Sequence, residues 1–321
     1  MMQRLFRALT AITCLLAAPA LAQTFPDHPI RIIVPQPPGG GFDLTARVVA
    51  DRLPAILGQP VIVENRPGAG TVVGSDVAAK AAPDGYTLFM LTSQLSSAAA
   101  MYTKLRYNLV EDFAPISLVG TTPSVLVVNP SLPVASIREL IALVKPRPGM
   151  LNYGSAGVGS SSHLPAVLFA AMAKVDMLHV PYKDSPGALL GTMTGEVGLS
   201  FQPLTACLPM IRSGKLKALG VTGATRTALA PDLPTIAQTV PGYDYMLWQG
   251  IVAPAKTPPA IIAKLNTEVV KALNSPDVRE QMAAIGNEPL PSTPEAYARH
   301  IIEQVEKMKE IVRLGGIKPQ D

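Results

Sequence analysis

Two glycine-rich stretches carry the residue types that could hold an anion. The first, Pro35–Asp43, contains three successive glycines and follows an apolar run that is typical of a buried strand. The second, Asn152–Leu164, contains three glycines and four serines. Glycine lets backbone approach a ligand closely, and the start of a helix offers unpaired N–H groups to a negative charge. We therefore expect the two loops to face each other and to hold a carboxylate.

A periodic apolar segment follows the first loop and predicts a helix, with Asp43 as the candidate N-cap. The serine hydroxyls of the second loop would add uncharged donors beside the backbone. Replacing Gly40 or Gly157 by a bulky residue should then abolish binding and leave folding nearly intact.

Catalysis by serine is the first alternative. A hydrolase elbow has the pattern Gly-x-Ser-x-Gly, but Tyr153 occupies the place of the first glycine around Ser155. Of the four histidines, only His163 lies near a candidate loop in the sequence, and its position favours helix capping or loop packing. An exported serine hydrolase stays open as the less favoured interpretation.

Nucleotide and metal sites are not predicted. The run Gly68–Gly74 has one residue too many for Gly-x-Gly-x-x-Gly, and the sequence has no Gly-Lys-Ser/Thr. It also lacks His-x-x-x-His and a cysteine pair in the mature chain, so we expect no cofactor and no metal. The small excess of 27 Lys and Arg over 23 Asp and Glu does not favour nucleic-acid binding.

The N-terminal segment has the pattern of a secretory signal. Arg4 and Arg7 precede an apolar core, and Ala20-Leu21-Ala22 fits a cleavage site. We predict a signal peptide at residues 1–22 and a periplasmic mature protein. Cys14 lies inside this signal, so Cys207 would be the single cysteine of the mature protein.

Alternating strand and helix patterns predict an α/β fold with parallel strands and crossover helices. Pro123 between two strand-like runs indicates a crossing into a second lobe, and a strand that carries Trp248 indicates the return. We predict two α/β lobes joined by hinge strands. Lobe 1 would comprise residues 23–122 with 247–321, and lobe 2 residues 123–246. Two connections at one hinge suit closure around a ligand.

The chain resembles the tripartite tricarboxylate transporter receptor family, also called the Bordetella uptake gene family, over the whole mature sequence. The motifs that carry this resemblance are Phe25-Pro26, Ile33–Asp43, Glu64–Gly70, Pro83–Thr87, Gly154–Gly157, Val180–Lys183, Gly214–Leu216, Pro231–Thr235 and Trp248–Gly250.

The resemblance implies a periplasmic binding protein-like, type II Venus-flytrap fold without enzymatic activity. It implies capture of a small carboxylate, which a membrane permease of one large and one small subunit would receive. We expect a monomer. A second interpretation is a sensory module that presents its ligand-bound form to a membrane kinase.

The predicted ligand-binding residues combine the two loops with positions that the resemblance implies. They are Gly39, Gly40, Gly41, Phe42, Asp43, Ala69, Thr71, Thr92, Ser93, Ser155, Ala156, Gly157, Gly159, Ser160, His163, Tyr182, Asp184 and Gln202. Phe42 indicates an apolar or aromatic ligand body. Many family members have an acid where this chain has Gln202, and the neutral amide disfavours an amino-acid ligand. Asp184 replaces a glycine that is frequent in the family, and would favour an amino group if it pointed inward.

Overall fold

The computed structural model describes residues 25–68 and 71–318. The predicted signal peptide and Ala69 lie outside the described residues. None of the helices in these two ranges is both long and apolar enough to cross a membrane.

Eleven strands are present in the described chain. They are β1 (Ile30–Val34), β2 (Val61–Asn65), β3 (Thr87–Thr92), β4 (Phe113–Thr122), β5 (Ser124–Val128), β6 (Asn152–Ser155), β7 (Leu178–Pro181), β8 (Leu199–Pro203), β9 (Lys217–Val221), β10 (Leu247–Pro254) and β11 (Glu288–Pro289).

The α-helices of the same ranges connect and cover these strands. They are α1 (Gly41–Arg52), α2 (Pro54–Leu57), α3 (Val72–Ala79), α4 (Ser93–Met101), α5 (Ile137–Val144), α6 (Leu164–Ala173), α7 (Ser185–Thr194), α8 (Leu204–Arg212), α9 (Pro259–Leu273), α10 (Pro276–Ala284) and α11 (Pro294–Leu314). A short 3₁₀ helix spans Ile236–Gln238.

The strands form two sheets with the same internal plan. The first has the order β11-β4-β10-β3-β1-β2, and the second has the order β7-β6-β8-β5-β9. In the first sheet β1 runs parallel to β2 and β3, as predicted, while β10 is antiparallel to β3 and β4. In the second sheet β6 runs parallel to β7 and β8, while β5 is antiparallel to β8 and β9. Both sheets are therefore mixed, because β5 and β10 arrive from the other sheet and not through a crossover helix.

Within the described residues, the chain passes from one sheet to the other twice. Pro123 alone separates β4 of the first sheet from β5 of the second. The return leads into β10, which lies between β3 and β4. Proline has no backbone N–H, so it suits a place where one ladder ends and another begins.

Buried apolar side chains cover both faces of each sheet. Ile32 and Phe89 belong to the two clusters of the first sheet, and Leu126 and Val127 to those of the second. Helix α11 contacts both cores: Ile301 packs in a first-sheet cluster, whereas Met308 packs in a second-sheet cluster. The predicted lobe boundaries placed the whole of α11 in lobe 1, and these boundaries stay a prediction.

Candidate functional site

A cavity of about 540 Å³ opens where the loops of the two sheets meet. The first-sheet side contributes Pro35, Gln36, Pro37, Pro67, Gly68, Thr71, Ser93, Gln94, Ser97, Ala98, Met101 and Tyr102. The second-sheet side contributes Ala156, Val158, Gly159, Ser160, Ser161 and Ser185. Tyr245 and Leu247 line it from the return crossing. The exits of β1, β2, β3 and β6 thus border one space, as expected where the carboxyl ends of parallel strands form a ligand site.

The walls of this cavity are neutral. Among the described residues that line it there is no Asp, Glu, Lys, Arg or His. The polar groups are serine and threonine hydroxyls, tyrosine hydroxyls, glutamine amides and backbone. A bound anion would therefore be stabilised by dipoles and hydrogen bonds, since no opposite charge on the wall is available to it.

Helix α4 supplies one whole wall. Gln94, Ser97, Ala98 and Met101 follow the i, i+3, i+4, i+7 spacing of a single helix face, and all four line the cavity. Sequence patterns did not predict this helix, and of this segment only Thr92 and Ser93 are among the predicted ligand-binding residues. Its signal was the run of good helix formers, Gln94-Leu95 and Ala98–Met101, directly after hydroxyl residues that can cap a helix.

The N-terminus of α4 provides the clearest anion position. Ser93 is the first residue of the helix and lines the cavity, and its buried Oγ has no hydrogen-bond partner in the described chain. Thr92 is the N-cap, and its side chain does not cap the helix. The first-turn N–H groups of a helix have no intrahelical acceptor and carry partial positive charge. Gln36 Nε2 donates to Gln94 Oε1 at 2.6 Å, which ties the β1 exit to this helix.

The first glycine run lies beside the cavity and not in its wall. Gly39 and Gly41 are exposed, and in the part of the chain that the structure describes no atom lies within 4 Å of a methyl group added at either. The prediction that Asp43 is the N-cap was wrong, because α1 begins at Gly41 and Gly40 occupies the cap. Pro35, Gln36 and Pro37 form the wall here, because the chain turns away before the helix starts.

Asp43 holds this first loop in place. Its carboxylate is 1% exposed and accepts from Gly39 N at 2.8 Å, Arg47 Nε at 3.0 Å and Asn65 Nδ2 at 2.8 Å. Burial favours the neutral acid, but the hydrogen bonds from Arg47, Gly39 and Asn65 outweigh it and lower the pKa of Asp43. The carboxylate is therefore a structural anchor, and its charge is directed at protein donors.

The second loop uses many of its own donors internally. Ala156 N donates to Ser162 Oγ at 2.9 Å, Gly157 N to Ser155 Oγ at 3.1 Å and Gly159 N to His163 Nδ1 at 3.2 Å. Three of the amides expected to hold an anion are thus already paired. What this loop presents to the cavity is the neutral hydroxyl-bearing surface of Ser160 and Ser161.

Ser155 has a histidine partner that sequence spacing did not reveal. Ser155 Oγ lies 2.6 Å from Nε2 of His179, which is 24 residues away in the sequence. Ser155 is fully buried and does not line the cavity. No hydrogen bond or ion pair joins His179 to a carboxylate in the described ranges. The pair lacks both substrate access and an orienting acid, so it does not have the geometry of a hydrolytic site.

His163 packs behind the loop, as its capping position suggested. It is the N-cap residue of α6, and its ring centroid lies 4.2 Å from that of His179. Burial, followed by the neighbouring His179, lowers the pKa of His163 to about 4. The ring is neutral near pH 7, which its role as acceptor for Gly159 N requires.

Three further predicted residues lie away from the cavity wall. Tyr182 packs against α7, where a methyl group on Gly191 would overlap its hydroxyl. Asp184 is exposed and caps α7, because its Oδ1 accepts from Gly187 N at 2.8 Å. Gln202 is buried in β8, paired in register with Val125, and its Nε2 has no partner in the described chain.

Five predicted site residues line the cavity: Thr71, Ser93, Ala156, Gly159 and Ser160. The other predicted residues that the structure describes do not line it; these are Gly39, Gly40, Gly41, Phe42, Asp43, Thr92, Ser155, Gly157, His163, Tyr182, Asp184 and Gln202. Phe42 is buried, and Thr92 lies beneath Ser93 at the end of β3. The ligand-binding role of each residue stays a prediction.

Comparison with known proteins agrees with this architecture. The protein BugT of Bordetella pertussis is 39% identical over 306 residues, which cover 94% of each chain. A solved R. palustris protein with adipate shares 34% identity at a TM-score of 0.79, covering 92% of this chain and all of that one. The periplasmic binding protein BugD shares 32% identity at a TM-score of 0.75, with coverage of 92% and 100%.

These similarities confirm the predicted periplasmic binding protein-like fold. The match to the family described as tripartite tricarboxylate transporter family receptor spans residues 45–317. Members of that family are solute-binding receptors and not enzymes, and a transporter is the implied partner. The chain therefore belongs to the tripartite tricarboxylate transporter receptor family.

Proposed function

We propose that this receptor captures a small organic carboxylate that carries no ammonium group, in the cavity between the two sheets. One carboxylate oxygen would bind at the N-terminus of α4, next to Ser93. Serine hydroxyls of the β6 exit would donate further hydrogen bonds to the same carboxylate. The observation that carries the proposal is a cavity with neutral donors on both sides and a helix start in its wall.

The described wall contains no Asp, Glu, Lys, Arg or His, and this narrows the class of solute that the cavity suits. A buried ammonium group requires a carboxylate partner, and the described lining offers none. Asp184 caps its own helix, so it does not supply this charge from the rim. The apolar side chains of Met101, Val158 and Leu247 suit a carbon body between polar ends.

A thermal-shift screen of the mature protein tests this solute class. The panel contains adipate, malate, benzoate, nicotinate and L-aspartate at equal concentration. Malate and L-aspartate form a matched pair, because a hydroxyl replaces an ammonium. Since binding raises apparent stability by mass action, we expect carboxylates without ammonium to raise the melting temperature by several degrees. A larger shift with L-aspartate than with malate would refute the proposed class.

The anion position is tested by Ser93→Ala, with Ser96→Ala as its matched control. Both hydroxyls are buried without a partner on the same helix, but only Ser93 lines the cavity. Removing either hydroxyl breaks no hydrogen bond among the described residues, so neither substitution should impair folding. We expect Ser93→Ala to weaken binding of the best carboxylate about tenfold by calorimetry, and Ser96→Ala to leave it unchanged. Equal affinities for the two variants would contradict the assignment.

The partner and the location follow from the same proposal. Export through residues 1–22 would place the mature monomer in the periplasm, where a permease of one large and one small membrane subunit would accept the solute. Deletion of the permease subunits should abolish uptake of the bound carboxylate. If uptake persists and only solute-induced gene expression is lost on deleting the receptor, the sensor-kinase interpretation replaces transport.

A further inference from the structure

One contact joins the two sides of the cavity directly. Met101 ends α4 on the first-sheet side, and Gly159 lies in the β6 exit loop on the second-sheet side. The Met101 thioether rests on Gly159 so closely that a methyl group at Gly159 would overlap Sδ and Cε. Both residues line the cavity, so the contact crosses the space that the solute would occupy.

Gly159 is shaped to receive this side chain. Its φ of +77° lies in the left-handed region, and its amide is held by His163 Nδ1 at 3.2 Å. Only glycine adopts this conformation without strain and also leaves room for the Met101 side chain. Gly159 therefore forms a notch in the loop surface. Methionine is a flexible apolar side chain that fills irregular gaps, and Met101 is 5% exposed here.

We infer that Met101 seated in the Gly159 notch is a closure contact, which sets how much of the receptor is closed before any solute binds. This inference rests on the proposed function for its role in capture. The contact is made between two parts of the protein, and it is present without any solute. It therefore changes the closed fraction, and the apparent dissociation constant of every solute changes by that same factor.

The neighbouring glycine offers a matched control. Gly157 lies in the same loop with a φ of +98°, but a methyl group there would meet no atom of the described residues within 4 Å. Gly157→Ala and Gly159→Ala thus share backbone strain, and only Gly159→Ala obstructs Met101. The difference between them isolates the notch.

The first measurement needs no solute. Nitroxide labels are attached to the variant Lys80→Cys, Leu190→Cys, with one label on the first-sheet side and one on the second-sheet side. Lys80 and Leu190 are both exposed, whereas the natural Cys207 is buried. Pulsed electron double resonance then gives the distribution of distances between the two labels. We expect the wild type to populate the distance of this structure, Gly159→Ala to lose that population and Gly157→Ala to keep it. Met101→Ala with Gly159→Ala should be no more open than Met101→Ala alone.

The second measurement uses adipate and malate as probes in calorimetry. Gly159→Ala should weaken both by one common factor of about tenfold relative to Gly157→Ala. Identical distance distributions for the two glycine variants, a wild type without the closed distance, or a double variant more open than Met101→Ala would each overturn the inference. Failure of both probes to bind the wild type would instead count against the proposed solute class, while the distance measurement still decides the closure contact.

Discussion

The β1 exit and the β6 exit occupy equivalent places in two sheets of the same plan, yet they are fastened by different chemistry. Asp43, Arg47 and Asn65 clamp the first with a buried charge, whereas the second is fastened by neutral serines and by His163. Neither fastening presents a charge to the cavity. The difference shows that the groups that fasten the loops are not the groups that face the ligand. The ionic group that fastens the first loop is directed at protein donors, and the cavity wall contains neutral donors.

The largest expected effect is loss of the ionic clamp. Asp43→Ala removes the acceptor of the Gly39 amide, one of the two acceptors of Asn65 Nδ2 and the ion-pair partner of Arg47. We therefore expect the free energy of unfolding to fall by about 3 kcal/mol. Urea denaturation measures this change. Asp51→Ala on the exposed face of the same helix is the control and should cost less than about 0.5 kcal/mol. Similar losses for both variants would show that the clamp does not fasten the loop.

Acid should loosen the second loop before the first. Because burial lowers the pKa of His163 to about 4, the unfolded chain binds its proton more readily than the folded protein does. The free energy of unfolding should therefore fall as pH decreases from about 6.5 to about 4, by about 2 kcal/mol from this residue. The lowered pKa of Asp43 preserves its contribution until pH falls below the unfolded value near 3.8.

Denaturation at a series of pH values tests this contrast in wild type and His163→Asn. The asparagine amide oxygen can accept from Gly159 N as Nδ1 does, but it does not titrate. The variant should show a shallower slope between pH 6.5 and 4. An unchanged slope would mean that His163 is not the source.

A smaller loss of stability is expected from a side chain at Gly157 in the second loop. Gly157 has a φ of +98°, so Gly157→Ala should cost about 1 kcal/mol in unfolding free energy although space is available for the methyl group. Thermal and urea denaturation should agree on this value. A neutral result would indicate that the loop adopts another conformation in solution.

The smallest effect is expected at the first glycine run. Gly41 is exposed at the start of α1 with no atom within 4 Å of an added methyl group, and alanine is the better helix former. Gly41→Ala should change stability by less than about 0.5 kcal/mol and leave carboxylate affinity unaltered. Loss of binding in calorimetry would restore Gly41 to the cavity wall.

Local signals predicted most of the elements well. Helices α5 and α11 begin directly after Ser136 and Thr293, whose side chains cap them, and Pro294 is the first residue of α11. Helix α4 was missed because its small residues show no contrast between an apolar and a polar face. Local sequence patterns likewise did not predict that β10 is antiparallel to β3, since the direction of β10 depends on how the chain returns from the second sheet.

Sequence patterns predicted which edge of each sheet borders the cavity, but they did not predict all of the residues that line it. Glycine and serine at the strand exits pointed to the right edge of each sheet, because parallel strands share that edge. Tyr245, Leu247 and the Met101 contact depend on how two sheets approach each other, and no short-range pattern encodes that approach. Gly39, Gly40 and Gly41 do not line the cavity, and the Gly39 amide donates to the Asp43 carboxylate.

A crystal structure of the mature protein with adipate tests the central claim most directly. We predict one carboxylate of adipate in the cavity, within hydrogen-bond distance of the Ser93 hydroxyl or a first-turn amide of α4, with no charged side chain in contact. Adipate bound outside this cavity, or paired there with an arginine or lysine, would contradict the account.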